Sequence, residues 1–424
     1  MNVASLTLCY PSTDSPHAGL FIQQRLRALN NLAAAGRQVR VRVVHAQPAP
    51  FWAPRRDGPV CDRNDPPCWH VPMPYLPVIG RPLNPWAYAR AVRPLLSDWA
   101  ARKEVDVIDA HFCWPDGVAA AIVARQLDLP YTVTLRGVLS RYAPPGPAGG
   151  LAYPWSRRSV RHALRDAAAV IAVSQSLKLQ AIRLGIPEDL IHVVPNGVDD
   201  TTFTPGHRDA ARDSLGRSAG ETILITVGHL CRRKGFHRVL ALLPHLVSEG
   251  RSKARGSDLR YVIVGADGAE GRFEWRLKRL ARKLGVCQRV TFTGPLDPPK
   301  VATWLQAADL FVLPTTNEGW CNALAEALAT GLPVVCSDVG GNREQIPPHA
   351  GLLVSPHDPI ALRDSIITML NRAPIGGKRT PSAPVRTWGQ VAAETDNILS
   401  FAIAARRRNS DTPADGRRMA DRER

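Results

Sequence analysis

Short apolar runs with β-branched residues alternate with amphipathic, helix-period stretches over most of the chain. VASLTLCY at 3–10 is the first such run, and FIQQRLRALNNLAAAG follows it as an amphipathic helix stopped by Gly36. QVRVRVVHA, VDVIDAHF, LPYTVTLRG, AAVIAVS and LIHVVPNG read as further strands, separated by helical segments such as GVAAAIVARQLDL and SLKLQAIRLG. The pattern restarts with TILITVGHL, LRYVIVGADG, RVTFTGPL, DLFVLPT, PVVCS and GLLVS. Such alternation predicts parallel sheets covered by helices, an α/β fold. Two series in 424 residues predict two Rossmann-like domains.

The turn-rich PNGVDDTTFTPG at 195–206 marks the seam. The expected organisation is therefore residues 1–198, a second domain at 199–384, a closing helix at 385–405 and a disordered basic tail at 406–424. One segment breaks the rhythm. Between residues 48 and 85 lie eleven prolines interleaved with Phe51, Trp52, Trp69 and Tyr75, with Trp86 and Tyr88 just beyond. It reads as a long irregular loop, either a binding surface or a poorly ordered insertion.

Charge narrows the partners. A formal charge of +17 attracts anions, but the excess is spread along the chain without a zinc-finger, basic-zipper or RNP pattern, so nucleic acid is not the expected partner. No run of 18 apolar residues occurs and the N-terminus has no basic n-region, which predicts a cytoplasmic protein. Of the eight cysteines only Cys61 and Cys68 are close, and they lack CxxC spacing, so reduced thiols and no zinc site are expected.

Four constellations could carry chemistry. In TTNEGWCNALAEALATGLPVV, residues 315–335, a strand leads through a turn into a helix closed by Gly331. Glu318 and Glu326 bracket the amides of Gly319, Trp320, Cys321 and Asn322, where a helix N-terminus favours a phosphate. A nucleotide-sugar has the matching layout of sugar hydroxyls, diphosphate and ribose hydroxyls. Taken alone, the two carboxylates also fit a helix cap and a solvated face. In TVGHLCRRKGFHRVL, 226–240, His229, Arg232, Arg233 and Lys234 occupy a strand-to-helix turn suited to a diphosphate leaving group, or a plain basic loop. Gly19 in PHAGLFIQQ permits close backbone approach ahead of a helix. His111 and Asp116 in DAHFCWPDG, with Arg136 in LRG, lie at strand ends where open α/β sheets gather ligands. No DxD occurs, so no carboxylate pair offers itself to a metal, and no cofactor is expected.

These motifs together resemble glycosyltransferase family 4, or group 1, the retaining nucleotide-sugar glycosyltransferases with the GT-B fold of two Rossmann-like domains facing across a cleft. The resemblance rests on PNGVD at 195–199, RKG at 233–235, VIVGADG at 262–268, VTFTGPL, and above all NEGWCNALAEALATGLPVVCSDVGGNREQI at 317–346. It covers nearly the whole chain apart from the Pro-rich segment and the tail.

The resemblance implies an N-terminal acceptor domain and a C-terminal donor domain. It implies transfer of a sugar from a nucleotide donor to a glycan or lipid-linked acceptor, with retained configuration and no metal, in surface polysaccharide or glycolipid synthesis. Glu318 would contact the donor sugar, Glu326 the ribose, Arg233 and Lys234 the diphosphate, and Gly19 would close over it. His111 and Arg136 would act at the reacting centre, with Asp116 and Arg136 on the acceptor side.

Two departures stand out. His229 occupies a position that is often Arg, and Arg136-Gly137-Val138-Leu139 lacks the family's acid. That second departure leaves open a non-catalytic binding protein on the same scaffold, and a nucleotide-sugar epimerase or hydrolase is a third reading. The basic stretch SRRSVRHALRDA puts Arg157, Arg161 and Arg165 on one helix face, which suits either a solvated surface or docking on the anionic inner face of the cell membrane.

Overall fold

The computed structural model describes residues 1–32, 36–50, 59–62, 65–75, 83–137, 139, 153–250, 258–268, 271–372 and 379–411. The chain divides into two compact units, Met1–Pro195 with Trp388–Arg424, and Asn196–Thr387.

The first unit is built on β1 (Asn2–Thr7), β2 (Arg40–Pro50), β3 (Val60–Asp62), β4 (Cys68–Tyr75), β5 (Val107–His111), β6 (Tyr131–Leu135), β7 (Ala169–Ala172) and β8 (Ile191–Val193). They form one sheet in the order β3-β4-β2-β1-β5-β6-β7-β8, parallel except for β3. Its helices are α1 (Leu20–Asn31), α2 (Asn84–Ala101), α3 (Val118–Leu127), α4 (Tyr153–Arg165) and α5 (Gln175–Arg183). The order reverses between β1 and β5, so the loops after these two strands share one carboxyl end of the sheet.

In the described part of the 48–85 segment, the expectation of an irregular loop is overturned. β4 adds to β2 in register, His45 against His70 and Gln47 against Pro72, and β3 pairs only with Cys68–His70. Pro72 and Pro74 fall beyond the reach of β3, where one side of β4 has no partner strand among the described residues. A missing N–H is tolerated there, which is why proline-rich sequence can still be strand.

The second unit contains β9 (Thr222–Val227), β10 (Leu259–Val264), β11 (Val290–Gly294), β12 (Leu310–Leu313), β13 (Val334–Ser337) and β14 (Gly351–Val354). The sheet order is β11-β10-β9-β12-β13-β14, with every pair parallel. Helices α6 (Arg208–Ser214), α7 (Phe236–Gly250), α8 (Phe273–Lys283), α9 (Pro298–Ala307), α10 (Asn322–Ala329), α11 (Asn342–Gln345) and α12 (Pro359–Arg372) complete it.

Both faces of this sheet are dry, and the strands show why they read as continuous apolar runs. Ile223, Ile225, Val262 and Phe311 pack with Leu305, Leu324 and Leu328 on one face. The alternate residues Leu224, Ile263 and Val312 pack with Leu240, Leu277 and Ile366 on the other. The strand order reverses between β9 and β12, the place where doubly wound sheets bind ligands.

Helix α13 (Trp388–Asp411) returns to the first unit, where Ala392 and Leu399 pack with Ile22, Leu26 and Val41. It also extends to Asp411, into the tail expected to be disordered from residue 406. Arg406 pairs with Asp128, and Arg408 lies in the last helical turn, where cations suit the helix dipole. No helix among the described residues is long and apolar enough to cross a membrane.

Candidate active site

The loops after β9 and β12 carry the first group of candidates. Glu318 is 6% exposed and lies in the turn between β12 and α10. Its Oε1 accepts from Arg233 Nη1 at 2.8 Å, from Lys234 Nζ at 2.7 Å and from the Thr315 hydroxyl at 3.2 Å. Arg233 also donates to the Asn317 carbonyl at 2.8 Å, and Thr316 N–H returns a bond to the Arg233 carbonyl at 2.9 Å. Two loops 85 residues apart in sequence are thus joined around one carboxylate oxygen.

Glycine makes that approach possible. A Cβ on Gly340 would sit 1.7 Å from the Glu318 carbonyl oxygen, and one on Gly235 would sit 2.0 Å from that of Pro314. Both glycines have positive φ, 54° and 81°, so backbone conformation and space agree.

The electrostatics follow from burial. Desolvation opposes the charge on Lys234, but the Cys321 sulfur and the Glu318 carboxylate reverse the effect and its pKa is raised. Burial pushes the Cys321 thiol itself up, so it is neutral near pH 7 and Glu318 is the partner that keeps the ammonium charged. His229 is lowered by desolvation and then by the Lys234 and Arg233 cations, leaving a neutral imidazole at pH 7. Glu326, on α10, is half-buried. Desolvation, with Asp199 adding to it, lifts its carboxyl to about 7.

Helix α10 begins at Asn322 with Cys321 as its N-cap. Gly319 and Trp320 therefore belong to the approach loop and not to the helix. The amide side chain of Asn322 accepts from Asn196 at 2.9 Å, and the indole N–H of Trp320 has no hydrogen-bond partner among the described residues. The region thus offers free or displaceable donors next to two cations and two carboxylates.

The second group of candidates meets in the first unit. His111, fully buried at the end of β5, places Nδ1 3.1 Å from Arg136 Nε and Nε2 2.9 Å from the Ser5 hydroxyl. Arginine only donates, so Nδ1 must accept and the ring proton sits on Nε2. Burial, with Arg136 and Arg25 nearby, holds His111 well below its usual pKa.

Beneath it Asp109 accepts from Thr132 at 2.8 Å and lies 3.6 Å from Arg25, whose Nη1 donates to Thr134 at 2.7 Å. The Arg136 guanidinium lies over the Phe21 ring at 5.2 Å. Phe21 follows Gly19, whose φ is 65° and whose Cβ would meet the Cys9 carbonyl oxygen at 2.1 Å. Gly19 is therefore required by its own chain's packing, whatever ligand it meets.

Asp116 is also buried, with its carboxylate accepting the Leu8 N–H at 2.9 Å. It ties the loop after β1 to the turn after β5, and burial holds its carboxyl well above the normal range. Val138, in the departure from the family's acid, lies outside the described residues. Sequence reasoning missed Thr315, Gly340, Asn196, Asp199, Ser5, Arg25 and Asp109. Thr315 and Asp109 lie close in sequence to Glu318 and His111, whereas the others act on a candidate from a distant strand or loop, which no local spacing signals.

Comparison with known proteins bears on both groups. Residues 207–379 match the model of the glycosyl transferases group 1, and residues 23–202 match that of Glycosyltransferase Family 4. A D-inositol 3-phosphate glycosyltransferase of Xylanimonas cellulosilytica is 30% identical over 318 residues, which cover 72% of this chain and 73% of that protein. The chain belongs to glycosyltransferase family 4, group 1.

Another similar protein is the putative teichuronic acid biosynthesis glycosyltransferase TuaC of Bacillus subtilis, 27% identical over 384 residues, 86% of this chain and 88% of the other. Among solved structures, sucrose-phosphate synthase from Thermosynechococcus elongatus superposes with a TM-score of 0.74 at 22% identity, covering 95% of this chain and 99% of that one. The glycosyltransferase described here accordingly has the GT-B fold of two parallel-sheet α/β domains.

Proposed function

We propose that this glycosyltransferase moves a sugar from a nucleotide-sugar to a glycan or lipid-linked acceptor, with retained configuration and without a catalytic metal. The observation that carries the donor half is the convergence of Arg233 and Lys234 on Glu318 beside the N-terminus of α10, at the switch point of the second sheet.

In this reading the diphosphate takes Arg233, Lys234, His229 and the amides at the start of α10, with the Trp320 indole N–H as a further donor. Glu318, released from the two cations, accepts from sugar hydroxyls. Glu326 accepts from the ribose. The bond between the anomeric carbon and the leaving phosphate oxygen breaks as the acceptor oxygen bonds the same face, and the acceptor's proton passes to the leaving phosphate. Such a step calls for leaving-group stabilisation more than for a protein nucleophile. Arg136 serves at the reacting centre, held by His111, and Asp116 shapes the acceptor side by fixing the loop after β1.

A surface-polysaccharide or glycolipid role is supported by the likeness to TuaC, whose name places that protein in teichuronic acid biosynthesis. Helix α4 supports peripheral docking of a cytoplasmic enzyme on an anionic membrane. Its exposed Trp155 stacks on exposed Trp86 at 4.7 Å, and the same helix carries the row Arg157, Arg161, Arg165.

The test is to incubate the purified protein with a panel of nucleotide-sugars, with and without membrane extract, and to follow nucleotide release and the anomeric configuration of the product. Acceptor-dependent release with retention is expected. Release without acceptor would instead identify a hydrolase, and no binding or release with any donor would identify a non-catalytic binding protein.

A further inference from the structure

The sequence reading expects no metal, because Cys61 and Cys68 lack CxxC spacing and no DxD occurs. The fold brings ligands together across strands instead. In the β2–β4 register Val43 pairs with Cys68 and His45 with His70. Alternate residues of a strand share a face and paired residues sit side by side, so His45, Cys68 and His70 project together from one face of the sheet. The two Nδ1 atoms are 3.1 Å apart, and a ring nitrogen from each histidine and the Cys68 sulfur all lie within 4.8 Å of one another. A tetrahedral zinc with Zn–N of about 2.0–2.1 Å and Zn–S of about 2.3 Å requires ligand separations of roughly 3.4–3.6 Å. Small side-chain rotations would bring the three atoms to those distances.

A second observation points the same way. Tyr10, from the loop after β1, is 3% exposed, and its phenol oxygen has no hydrogen-bond partner among the described residues. It lies within electrostatic reach of Cys68, Asp62 and Asp65, and its ring centroid is 6.3 Å from that of His45. A buried, unsatisfied hydroxyl near a thiol and an imidazole calls for an explanation beyond packing. Beside a metal it supplies the fourth ligand or bonds a metal-bound water.

The surroundings also orient one ring, since His45 hydrogen-bonds the Leu8 backbone. The Gln47 side-chain amide, 3.2 Å from His70 Nδ1, is the neighbour a metal would displace from that nitrogen. Asp62 lies opposite Cys68 on β3, adding negative charge. His70 is only half-buried, which leaves an entry path.

We propose that His45, Cys68 and His70 bind one zinc-class divalent transition metal ion that staples β2 to β4 at the edge of the first sheet. One thiolate and two imidazoles suit such an ion and not magnesium or calcium, which take oxygen ligands. On binding, the Cys68 S–H bond breaks, the sulfur bonds the metal as thiolate, and the proton goes to solvent. The site is structural, and it adjoins the loop after β1 through the Leu8 backbone.

The test uses the full-length protein stripped with a chelator and titrated with Co(II) and then Zn(II). The expected result is one equivalent of Co(II) with tetrahedral visible bands and a thiolate-to-cobalt charge-transfer band, displaced by one equivalent of Zn(II). Affinity falls at least about 100-fold in Cys68→Ser and in His70→Gln, and is unchanged in Cys61→Ser, a nearby exposed thiol. A charge-transfer band that survives in Cys68→Ser overturns the assignment. Should that variant not fold, the wild-type spectrum decides: absence of a stoichiometric thiolate band overturns the site, and its presence with loss in folded His70→Gln supports it.

Discussion

Arg233 and Lys234 both donate to the same oxygen of Glu318, at 2.8 and 2.7 Å. A diphosphate that takes the two cations must compete with that carboxylate, so Glu318 opposes diphosphate binding while serving the sugar. Glu318→Gln removes the competing charge and keeps an acceptor oxygen. Turnover is expected to fall by about 10²–10³-fold, with nucleoside diphosphate affinity equal or tighter. Lys234→Ala should lose both turnover and diphosphate affinity. Calorimetric titration of each variant separates them. If Glu318→Gln weakens nucleoside diphosphate binding as much as Lys234→Ala does, the carboxylate is not a competitor and this account fails.

Glu326 gives a pH signature. Its carboxyl is raised to about 7, so in the unliganded protein it is largely protonated below neutrality. Ribose hydroxyls donating to the carboxylate favour the ionised form and pull the pKa back toward the ordinary carboxylate value. Donor binding should therefore release a proton below pH 7, and affinity should weaken by up to about tenfold per pH unit as pH falls through that range. Titrations in buffers of different ionisation heat count the proton. For folding the sign is opposite. A raised carboxyl stabilises the folded form at low pH, and that contribution is lost between about 4.5 and 7, so Glu326→Gln should melt at higher temperature than wild type at pH 8. A Glu326→Gln protein with unaltered proton release would rule the group out.

Much of the second unit is legible in the sequence because both faces of its sheet are dry. Most of its strands are short apolar runs bounded by turn residues, and the basic and acidic motifs sit in the loops that follow β9 and β12. The first unit is less legible. The strand CWHVPMPY reads as a loop because its prolines hide the period-2 pattern, and Pro72 and Pro74 are acceptable because they lie past the end of β3. The Glu318 pairing with Arg233 needs two loops 85 residues apart to meet, and the grouping of His45 with Cys68 and His70 needs the β2–β4 register. Chain-order motifs contain neither fact.

His111 is expected to stay neutral through the physiological range. Arg136 donates to Nδ1, the Ser5 hydroxyl accepts from Nε2–H, and the ring has no exposure to water. Its pKa is lowered, so stability is lost as pH falls below the ordinary histidine value of about 6.5 and the unfolded chain takes up a proton that the folded one does not. Nitrogen NMR of labelled histidine should show a fixed Nε2–H tautomer from pH 8 down to 5.5. Arg136→Lys, which cannot reproduce the planar donor, should let both tautomers appear and lower kcat more than it raises KM for donor. A His111 ring that titrates near 6.5 in the wild-type protein would contradict the buried network.

Gly340 and Gly285 separate contact from backbone strain. Both have positive φ, 54° and 68°, so each pays the same kind of left-handed penalty when replaced by alanine, about 1 kcal/mol. Around Gly285 a Cβ meets nothing within 4 Å, whereas at Gly340 it would lie 1.7 Å from the Glu318 carbonyl oxygen. That atom is backbone, so the clash is relieved only by moving the turn that positions the Glu318 side chain against Arg233 and Lys234. Gly340→Ala should therefore destabilise the protein by about 2–4 kcal/mol in denaturant unfolding, against about 1 kcal/mol for Gly285→Ala. The surviving folded Gly340→Ala enzyme should also lose donor turnover, while Gly285→Ala keeps it. Equal stability loss at the two positions, with donor turnover intact in both, would mean that Gly340 is held by conformation alone and has no part in setting Glu318.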